Sequence, residues 1–343
     1  MKQRTFKLKE FAQDISVAVK DAQLSPLKRF VGLEHYDSNE PVITRFTDTS
    51  LLSSSVKEFS ENDILIARRN VYLRRAGIVF FSGLTSGDSI VLRIYNDCED
   101  RTGIPKDDAI RIIPFILNGN AFWAYANKHA DGMNSKRISK DMLYDYEFSL
   151  PPIEEQRILA DKLWAAYRLK ESYKKLLTAT QEMVKSQFIE MFKGDDQVPL
   201  GDICNIEKGA TITRNDVLPG DVPVVAGGQE PSCYHNIANR EAGAITVSAS
   251  GAYAGYINFW SCPIFASDCN TVISKDGEKT DQTFVYFGLK AMQKQIYGLQ
   301  KGGAQPHVYG KDLQKFMFPH PSYAKQIEFS KMAKQADKSE YYN

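Results

Sequence analysis

The sequence predicts a mixed, strand-rich α/β protein in which two copies of one module are separated by a long helix. Three observations lead there: an ending that recurs at a constant offset, short β-branched and aromatic runs in both halves, and one long stretch without Pro or Gly. We expect a first module over residues 1–151, a long helix over 152–194, a second module over 195–320 and a short helix over 321–343.

The repeat is clearest at the end of each half, where a shift of 170 positions aligns the two segments without a gap. The matching pairs are Ile138 with Val308, Leu143 with Leu313, Tyr146 with Phe316, Phe148 with Phe318, Pro151 with Pro321 and Gln156 with Gln326.

Upstream similarities between the two halves need different offsets, which indicates loop insertions. They are Phe6–Phe11 with Val198–Ile203, Asp63–Ile66 with Ala244–Val247, Ala76–Gly77 with Ala254–Gly255, and Gly87–Asp88 with Ser267–Asp268.

Short runs rich in β-branched and aromatic residues, with Gly, Asn, Asp and Ser between them, predict strands of about five residues. These strands are Ile64–Ala67, Gly77–Phe81, Ser89–Ile94, Ala244–Ser248 and Thr271–Ser274. Each half also has a predicted helix before its closing segment, at Pro114–Lys128 and Gln282–Tyr297.

The long helix is expected from Ile153 to about Phe192, after Pro152 and before Gly194. Its apolar residues recur at spacings of four and three, and a helix of ~40 residues measures about 60 Å. A stripe that long needs a partner, and the shorter helix after Pro321 can cover only part of it. The residues expected at this helix–helix or subunit interface are Leu159, Leu163, Tyr173, Leu177, Val184, Met191, Ile327 and Met332.

Composition limits the function classes. The net charge is +1, so DNA binding would need a local basic face rather than a basic average. The five cysteines contain no C-x-x-C pair, which argues against a disulfide framework or a zinc knuckle. No apolar stretch approaches a membrane span and the N-terminus lacks the apolar segment of an export signal, so we expect a cytoplasmic protein that does not enter the membrane.

Catalytic motifs are missing from the sequence. It contains no Gly-x-x-x-x-Gly-Lys-Ser/Thr loop, no Gly-x-Gly-x-x-Gly, no His-Glu-x-x-His and no Asn/Asp-Pro-Pro-Tyr, and its five histidines are scattered. We therefore expect no catalytic residues, no metal site and no cofactor on this chain.

The order of segments resembles the specificity (S) subunits of type I restriction–modification systems. The most specific phrase is Leu-Pro-Pro-Ile-Glu-Glu-Gln at 150–156, which starts the long helix and has a Pro-x-x-x-x-Gln counterpart at 321–326. Ile206–Thr213 and Gly302–Val308 resemble further phrases of the family, although Ile212 stands where the family has Pro. The resemblance covers nearly the whole chain.

This resemblance implies two target-recognition domains that read a split, asymmetric DNA target, and long helices that form an antiparallel coiled coil. It also implies docking of methyltransferase (M) subunits, two in number, and of restriction (R) subunits. S-adenosylmethionine, ATP and Mg would then act on those partners. The short second helix departs from the family pattern and leaves open whether the coiled coil is completed by this chain.

The residues expected to contact DNA are basic or polar and lie in turns that glycine or asparagine permits. In the first module they are Arg68, Arg69, Asn70, Tyr72, Arg74 and Arg75, with Lys136 and Arg137. In the second they are Lys208, Thr211, Thr213, Arg214, Ser248, Ser250, Tyr253, Tyr256, Lys301, Gln305 and His307. The alternative interpretation is that each of these loops is an ordinary solvated turn that does not contact DNA.

Two other functions stay open at this stage. The chain could be a fragment of a stand-alone restriction or methylation enzyme with its own recognition domain, or a protein-binding adaptor. The first would need the missing catalytic phrases, and the second would show no dependence on DNA sequence.

Overall fold

Each half of the chain is built on a four-stranded antiparallel sheet with the same strand order. A computed structural model describes residues 3–52, 56–132 and 135–336, and the chain divides into unit 1, Met1–Lys170, and unit 2, Glu171–Asn343. This division falls inside the long helix, so each unit includes part of it. The predicted mixed, strand-rich α/β class with a long helix is confirmed.

Unit 1 contains eleven strands within its described residues. They are β1 (Arg4–Lys7), β2 (Ala12–Asp14), β3 (Ala18–Val19), β4 (Arg29–Val31), β5 (Thr47–Asp48), β6 (Val56–Phe59), β7 (Ile64–Ala67), β8 (Ala76–Ile78), β9 (Gly83–Ser86), β10 (Ser89–Ile94) and β11 (Glu147–Leu150). Its α-helices are α1 (Cys98–Thr102), α2 (Lys106–Ile116), α3 (Asn120–His129), α4 (Lys140–Tyr144) and the start of α5 (Ile153–Phe192).

The main sheet of unit 1 has the order β2-β10-β7-β8 and is covered on both faces. Alternate residues of a strand point to opposite faces. Ile64 and Ile66 of β7 accordingly join the core under α2 and α3, while Leu65 and Ala67 join a core with the strands of the sheet β3-β6-β9-β4-β5. Burial on both faces explains why β7 is apolar throughout rather than alternating.

Unit 2 continues with β12 (Gln197–Pro199), α6 (Leu200–Ile203), β13 (Cys204–Lys208), β14 (Val222–Val225), β15 (Cys233–His235), β16 (Ala244–Ser248), β17 (Ile257–Trp260), β18 (Phe265–Ala266) and β19 (Cys269–Ser274). It ends with α7 (Gln282–Ala291), α8 (Gln293–Tyr297), α9 (Gly310–Gln314), β20 (Met317–Pro319) and α10 (Tyr323–Ala336). Its main sheet is β13-β19-β16-β17, and a smaller sheet is β15-β14-β18.

The two main sheets share their register. Ile66 pairs with Ala76 as Val247 pairs with Ile257, and β1 pairs with β11 as β12 pairs with β20. The backbone bond from Leu8 N to Tyr146 O, 3.0 Å, recurs from Leu200 N to Phe316 O at 2.8 Å. The repeat read from the sequence is therefore a repeat of backbone geometry.

One of the upstream matches has the wrong register. The sequence comparison placed Ala76–Gly77 beside Ala254–Gly255, but the strand pairing places Ala76 with Ile257. Gly255 instead corresponds to Arg74, which lies three residues before Gly77. Both residues adopt a left-handed backbone in the turn that precedes the strand. A shared Ala-Gly dipeptide was the misleading signal.

The predicted helix Pro114–Lys128 is two helices in the structure. α2 begins at Lys106 and contains Pro114, while Leu117 to Gly119 separate it from α3. Pro114 does not start a helix here, since the chain before it is already helical. The other predicted helix, Gln282–Tyr297, is likewise interrupted at Met292, between α7 and α8.

The long helix α5 runs for 40 residues, as the sequence predicts. In unit 1 its first turns pack on the core through Ala160, Leu163 and Trp164. In unit 2 its last turns do so through Val184, Phe188 and Phe192. Exposed apolar side chains lie in between, at Leu169, Tyr173, Leu176, Leu177 and Met183.

The second helix, α10, spans 14 residues within the described part of the chain, and residues 337–343 of the predicted 321–343 helix lie outside it. Its buried Phe329 contacts Phe188 and Phe192 of α5 and Phe284 of α7, with ring centroids 5.4, 5.6 and 6.1 Å away. This aromatic cluster attaches α10 to the last turns of α5. Within the described residues, no helix is long and apolar enough to cross a membrane.

Candidate nucleic-acid interface

In unit 1 the turn after β7 lies against the segment that precedes α4. Asn70 N donates to Lys136 O at 2.8 Å, and Ile138 N donates to Arg68 O at 3.1 Å, so Arg69 and Arg137 face each other in an antiparallel bridge. The structure thus joins the two basic segments that the sequence suggested separately. We call Arg68–Arg75 together with Ser135–Ile138 the first polar patch.

A carboxylate lies beneath the basic side chains of this patch. Asp88 Oδ2 is 3.1 Å from Arg69 Nη1, and Asp88 Oδ1 is 3.7 Å from Arg137 Nη2. Ser135 Oγ accepts a further bond from Arg69 Nε at 3.4 Å. The two guanidinium groups are half-exposed, so both remain accessible while their positions are restrained.

The other predicted contacts of the first patch differ in accessibility. The ring of Tyr72 is 59% exposed and Lys136 is exposed, so both are available to a ligand. Arg74 donates to Asn120 Oδ1 at 3.0 Å. Arg75 donates to Leu33 O and Arg69 O, and burial lowers the pKa of its guanidinium. Its role is therefore to hold the loop backbone.

Unit 2 builds the same arrangement from different side chains. Gly251 N donates to Pro306 O at 3.0 Å, and Val308 N donates to Ala249 O at 2.9 Å, so Ser250 and His307 form an antiparallel bridge. These bonds repeat those of Asn70 with Lys136 and of Ile138 with Arg68. We call Ala249–Tyr256 together with Gln305–Val308 the second polar patch.

Asp268 occupies the place of Asp88. Its backbone oxygen accepts from Ala249 N at 3.1 Å, as that of Asp88 accepts from Arg68 N at 2.9 Å. Its carboxylate accepts a hydrogen bond from the Ser250 hydroxyl. Each patch therefore has one aspartate behind it, bound to the residue at the centre of the bridge.

Both turns need a left-handed backbone at the same two positions. In unit 1 these are Asn70 and Arg74, with φ of 53° and 51°, and in unit 2 they are Gly251 and Gly255, with φ of 83° and 88°. Non-glycine residues rarely adopt such angles. Because the turns match, Tyr72 and Tyr253 hold equivalent places, and Tyr253 is also 46% exposed.

Several predicted residues of unit 2 lie around this patch. His307 stacks on Tyr309, Lys301 pairs with Asp312 at 2.7 Å, and Gln305 is exposed. Tyr256 is partly buried, with Lys290 Nζ 5.0 Å from its ring centroid. Ser248 differs from the prediction, because its side chain is 4% exposed inside the sheet and cannot reach DNA.

The remaining predicted contacts follow β13. Lys208 ends that strand and pairs with Asn270, and Thr211, Thr213 and Arg214 are exposed in the next turn. Thr213 Oγ1 donates to Asp216 at 2.6 Å, and this hydrogen bond is the main cause that lowers the pKa of Asp216. The hydroxyl of Thr213 is thus committed within its own turn.

The residues predicted for a helix interface fall into two groups. Leu159, Tyr173, Leu177 and Met191 are exposed on α5 and can meet a partner. Leu163, Val184 and Met332 instead pack on the core of their own unit, and Ile327 is half-buried on α10. The sequence pattern did not separate these groups, because a stripe that faces its own module has the same spacing as one that faces a partner.

Two comparisons with known proteins show what the chain is similar to. Residues 194–340 match the family model for the type I restriction modification DNA specificity domain. The fold is similar to that of the type I restriction–modification S subunit from M. genitalium, with a TM-score of 0.59 and 14% identity over 98% of this chain and 90% of that one.

Residues 194–340 are therefore similar to a type I DNA specificity domain, and the chain shares the fold of an S subunit. Two further solved structures match over 98% of this chain at 17% identity, covering 90% and 89% of their own chains. One is described as showing complex assembly of the type I R-M system (TM-score 0.47), the other as the HsdS subunit from Thermoanaerobacter tengcongensis (TM-score 0.38). No curated protein sequence matches this chain significantly.

Sequence reasoning missed Asp88 and Asp268 as members of the two polar patches. Both stand in the Gly87–Asp88 and Ser267–Asp268 match, which by itself indicates only the repeat. An acidic residue gives no hint of DNA contact by itself. Its importance comes from the side chains that the fold brings beside it.

Proposed function

We propose that each polar patch contacts one half of a split DNA target. The observation that supports this is the recurrence of one backbone arrangement, with an exposed tyrosine and a carboxylate behind the bridge, in both units. The side chains placed on it differ between the units. Different side chains on a common frame are what two readers of unlike half-sites require.

The first patch has the chemistry to read guanine. Arginine can donate two hydrogen bonds to the O6 and N7 acceptors of guanine, and such pairs contribute about 1–3 kcal/mol of discrimination each. Lys136 and Tyr72 are exposed beside them and suit phosphate oxygens. The second patch has fewer charged groups, and its Ser250 and Gln305 suit base edges or bridging water.

We propose further that the chain is a type I specificity subunit, that methyltransferase (M) subunits, two in number, dock on it, and that restriction (R) subunits join this assembly. The exposed apolar residues of α5 support this, because monomeric proteins seldom leave such stripes uncovered. S-adenosylmethionine, ATP and Mg would then be bound by those partners.

Selection from random duplexes tests the proposal. The full chain, with and without its M subunits, is incubated with duplexes of random sequence, and the retained DNA is sequenced. We expect a motif of two unlike halves separated by a gap of fixed length. Retention without any sequence preference would overturn the proposal and favour a protein-binding adaptor.

A further inference from the structure

We propose that Asp88 and Asp268 set the hydrogen-bonding polarity of the two patches, so that the first presents donors to DNA and the second presents an acceptor. This inference rests on the proposed function, since it names the base groups that each patch reads. Neither aspartate contacts DNA in this account. Each is a positioning residue that acts through the side chain it binds.

The two aspartates hold equivalent places. Asp88 directly precedes β10 and Asp268 directly precedes β19, the strands at matching positions in the two main sheets. Each also accepts a backbone hydrogen bond from the turn of its own patch, from Arg68 N or Ala249 N. The carboxylate is therefore fixed to the loop it serves.

A carboxylate at this position is unfavourable for DNA binding by charge alone. The phosphate backbone is anionic, and a negative group close to it opposes association. In unit 1 this electrostatic cost is offset because Asp88 restrains Arg69 and Arg137, whose guanidinium groups both face its carboxylate. A side chain ordered before binding loses less conformational freedom when it binds.

The restrained guanidinium groups present only donors, because arginine has no acceptor atom. They therefore match the acceptor edge of guanine, O6 and N7, in the major groove. Without Asp88 the same two cations would still attract phosphate but would no longer be held at a fixed spacing.

Unit 2 reverses this polarity. A serine hydroxyl has one hydrogen and two lone pairs, and the hydrogen of Ser250 is directed to Asp268. The lone pairs that remain can only accept. Ser250 is thereby matched to a base amino group, N6 of adenine or N4 of cytosine, rather than to guanine or thymine.

The test is the selection from random duplexes with single variants of the full chain together with its M subunits. Asp88→Asn is expected to reduce guanine preference in one half of the motif about tenfold, equivalent to roughly 1.4 kcal/mol. Asp268→Asn offers an amide hydrogen to Ser250 and frees the hydroxyl to donate. It should shift one position of the other half from adenine or cytosine towards guanine or thymine.

Asp97→Asn is the matched control in unit 1. It makes the same change in charge, but Asp97 lies beyond the far end of the six-residue strand β10, about 20 Å from its start. We expect the motif to be unchanged. Asp88→Glu keeps a carboxylate and is expected to retain most of the guanine preference.

The outcomes separate the two levels of the account. If the unaltered chain selects no motif, the proposed function fails and this inference fails with it. If it selects a split motif that Asp88→Asn and Asp268→Asn leave unchanged, or that either variant weakens in both halves, the polarity assignment alone is overturned. If the Asp268→Asn variant does not fold, the Ser250→Ala variant takes its place in the test. It must then lose the preference for adenine or cytosine at one position of the half-site read by unit 2.

Discussion

The two polar patches share a backbone and differ in their charges. In the first, Arg69 and Arg137 face one carboxylate, and the turn adopts its left-handed angles at Asn70 and Arg74. In the second, Ser250 and His307 take the equivalent positions, and glycines adopt those angles. The difference shows that the fold fixes where the side chains of a patch are placed, while a few substitutions fix which charges and hydrogen-bonding groups the patch presents.

The largest expected effect comes from exchanging a whole module. Residues 195–320 are replaced by the corresponding module of a type I specificity subunit, and the retained DNA is sequenced. We expect one half of the motif to change completely and the other to stay the same, because each patch is built within its own unit. An exchange that altered both halves would mean that the patches do not read independently.

The charges of the first patch should have the next largest effect. The double variant Arg69→Gln, Arg137→Gln is expected to weaken binding to the selected duplex up to about 100-fold, and to lower the slope of affinity against salt by about 1–2. Both follow from the loss of two cations at the DNA surface. Affinity measured at several salt concentrations checks both effects.

The matched variant in the second patch is Ser250→Ala, Gln305→Ala. We expect a weaker affinity with an unchanged salt slope, since no charge is removed. Thermal unfolding serves as the control for both variants. The partly exposed pair Arg69–Asp88 should contribute at most about 1 kcal/mol to stability. Equal salt slopes for the two double variants would contradict the contrast between the patches.

A smaller effect concerns stability at the end of each module. Gln326 Nε2 donates to Pro321 O at 2.8 Å and to Lys279 O at 3.1 Å, and its Oε1 accepts from Asp281 N at 2.9 Å. Gln156 Nε2 donates to Pro151 O at 2.8 Å, but its buried Oε1 lacks a partner among the described residues. Pro105, which precedes α2 as Asp281 precedes α7, has no N–H to offer.

We therefore expect Gln326→Met to lower the free energy of unfolding by about 2–4 kcal/mol and Gln156→Met by about 1 kcal/mol, because unpaired buried groups are costly. Urea unfolding of the two variants measures the difference. Equal losses for the two variants would show that the hydrogen bonds of Gln326 with Lys279 and Asp281 contribute nothing to stability.

The sequence predicted the framework because its signals are local. The all-apolar run of β7 and the Pro- and Gly-free stretch of α5 each depend on local residues, and their bounds were found correctly. The ending from Ile138 to Gln156 revealed the repeat because it contains no insertion. Pro114 misled the assignment, since a proline inside a helix looks in sequence like the start of one.

The candidate site was predicted only in part. Arg69 and Arg137 were named from their charge, but their pairing depends on a bridge between residues 68 positions apart. Ser248 was named because it precedes Ser250 in a polar turn, whereas the strand turns its side chain inwards. Asp88 and Asp268 were missed because their effect depends on neighbours that only folding supplies.

Cross-linking from the two exposed tyrosine positions tests the central claim most directly. Tyr72 and Tyr253 are replaced one at a time by a photoreactive phenylalanine analogue in the full chain with its M subunits, on the selected duplex. We predict that position 72 cross-links only within one half of the motif and position 253 only within the other. Cross-links from both positions to the same half, or from neither to the motif, would contradict the account.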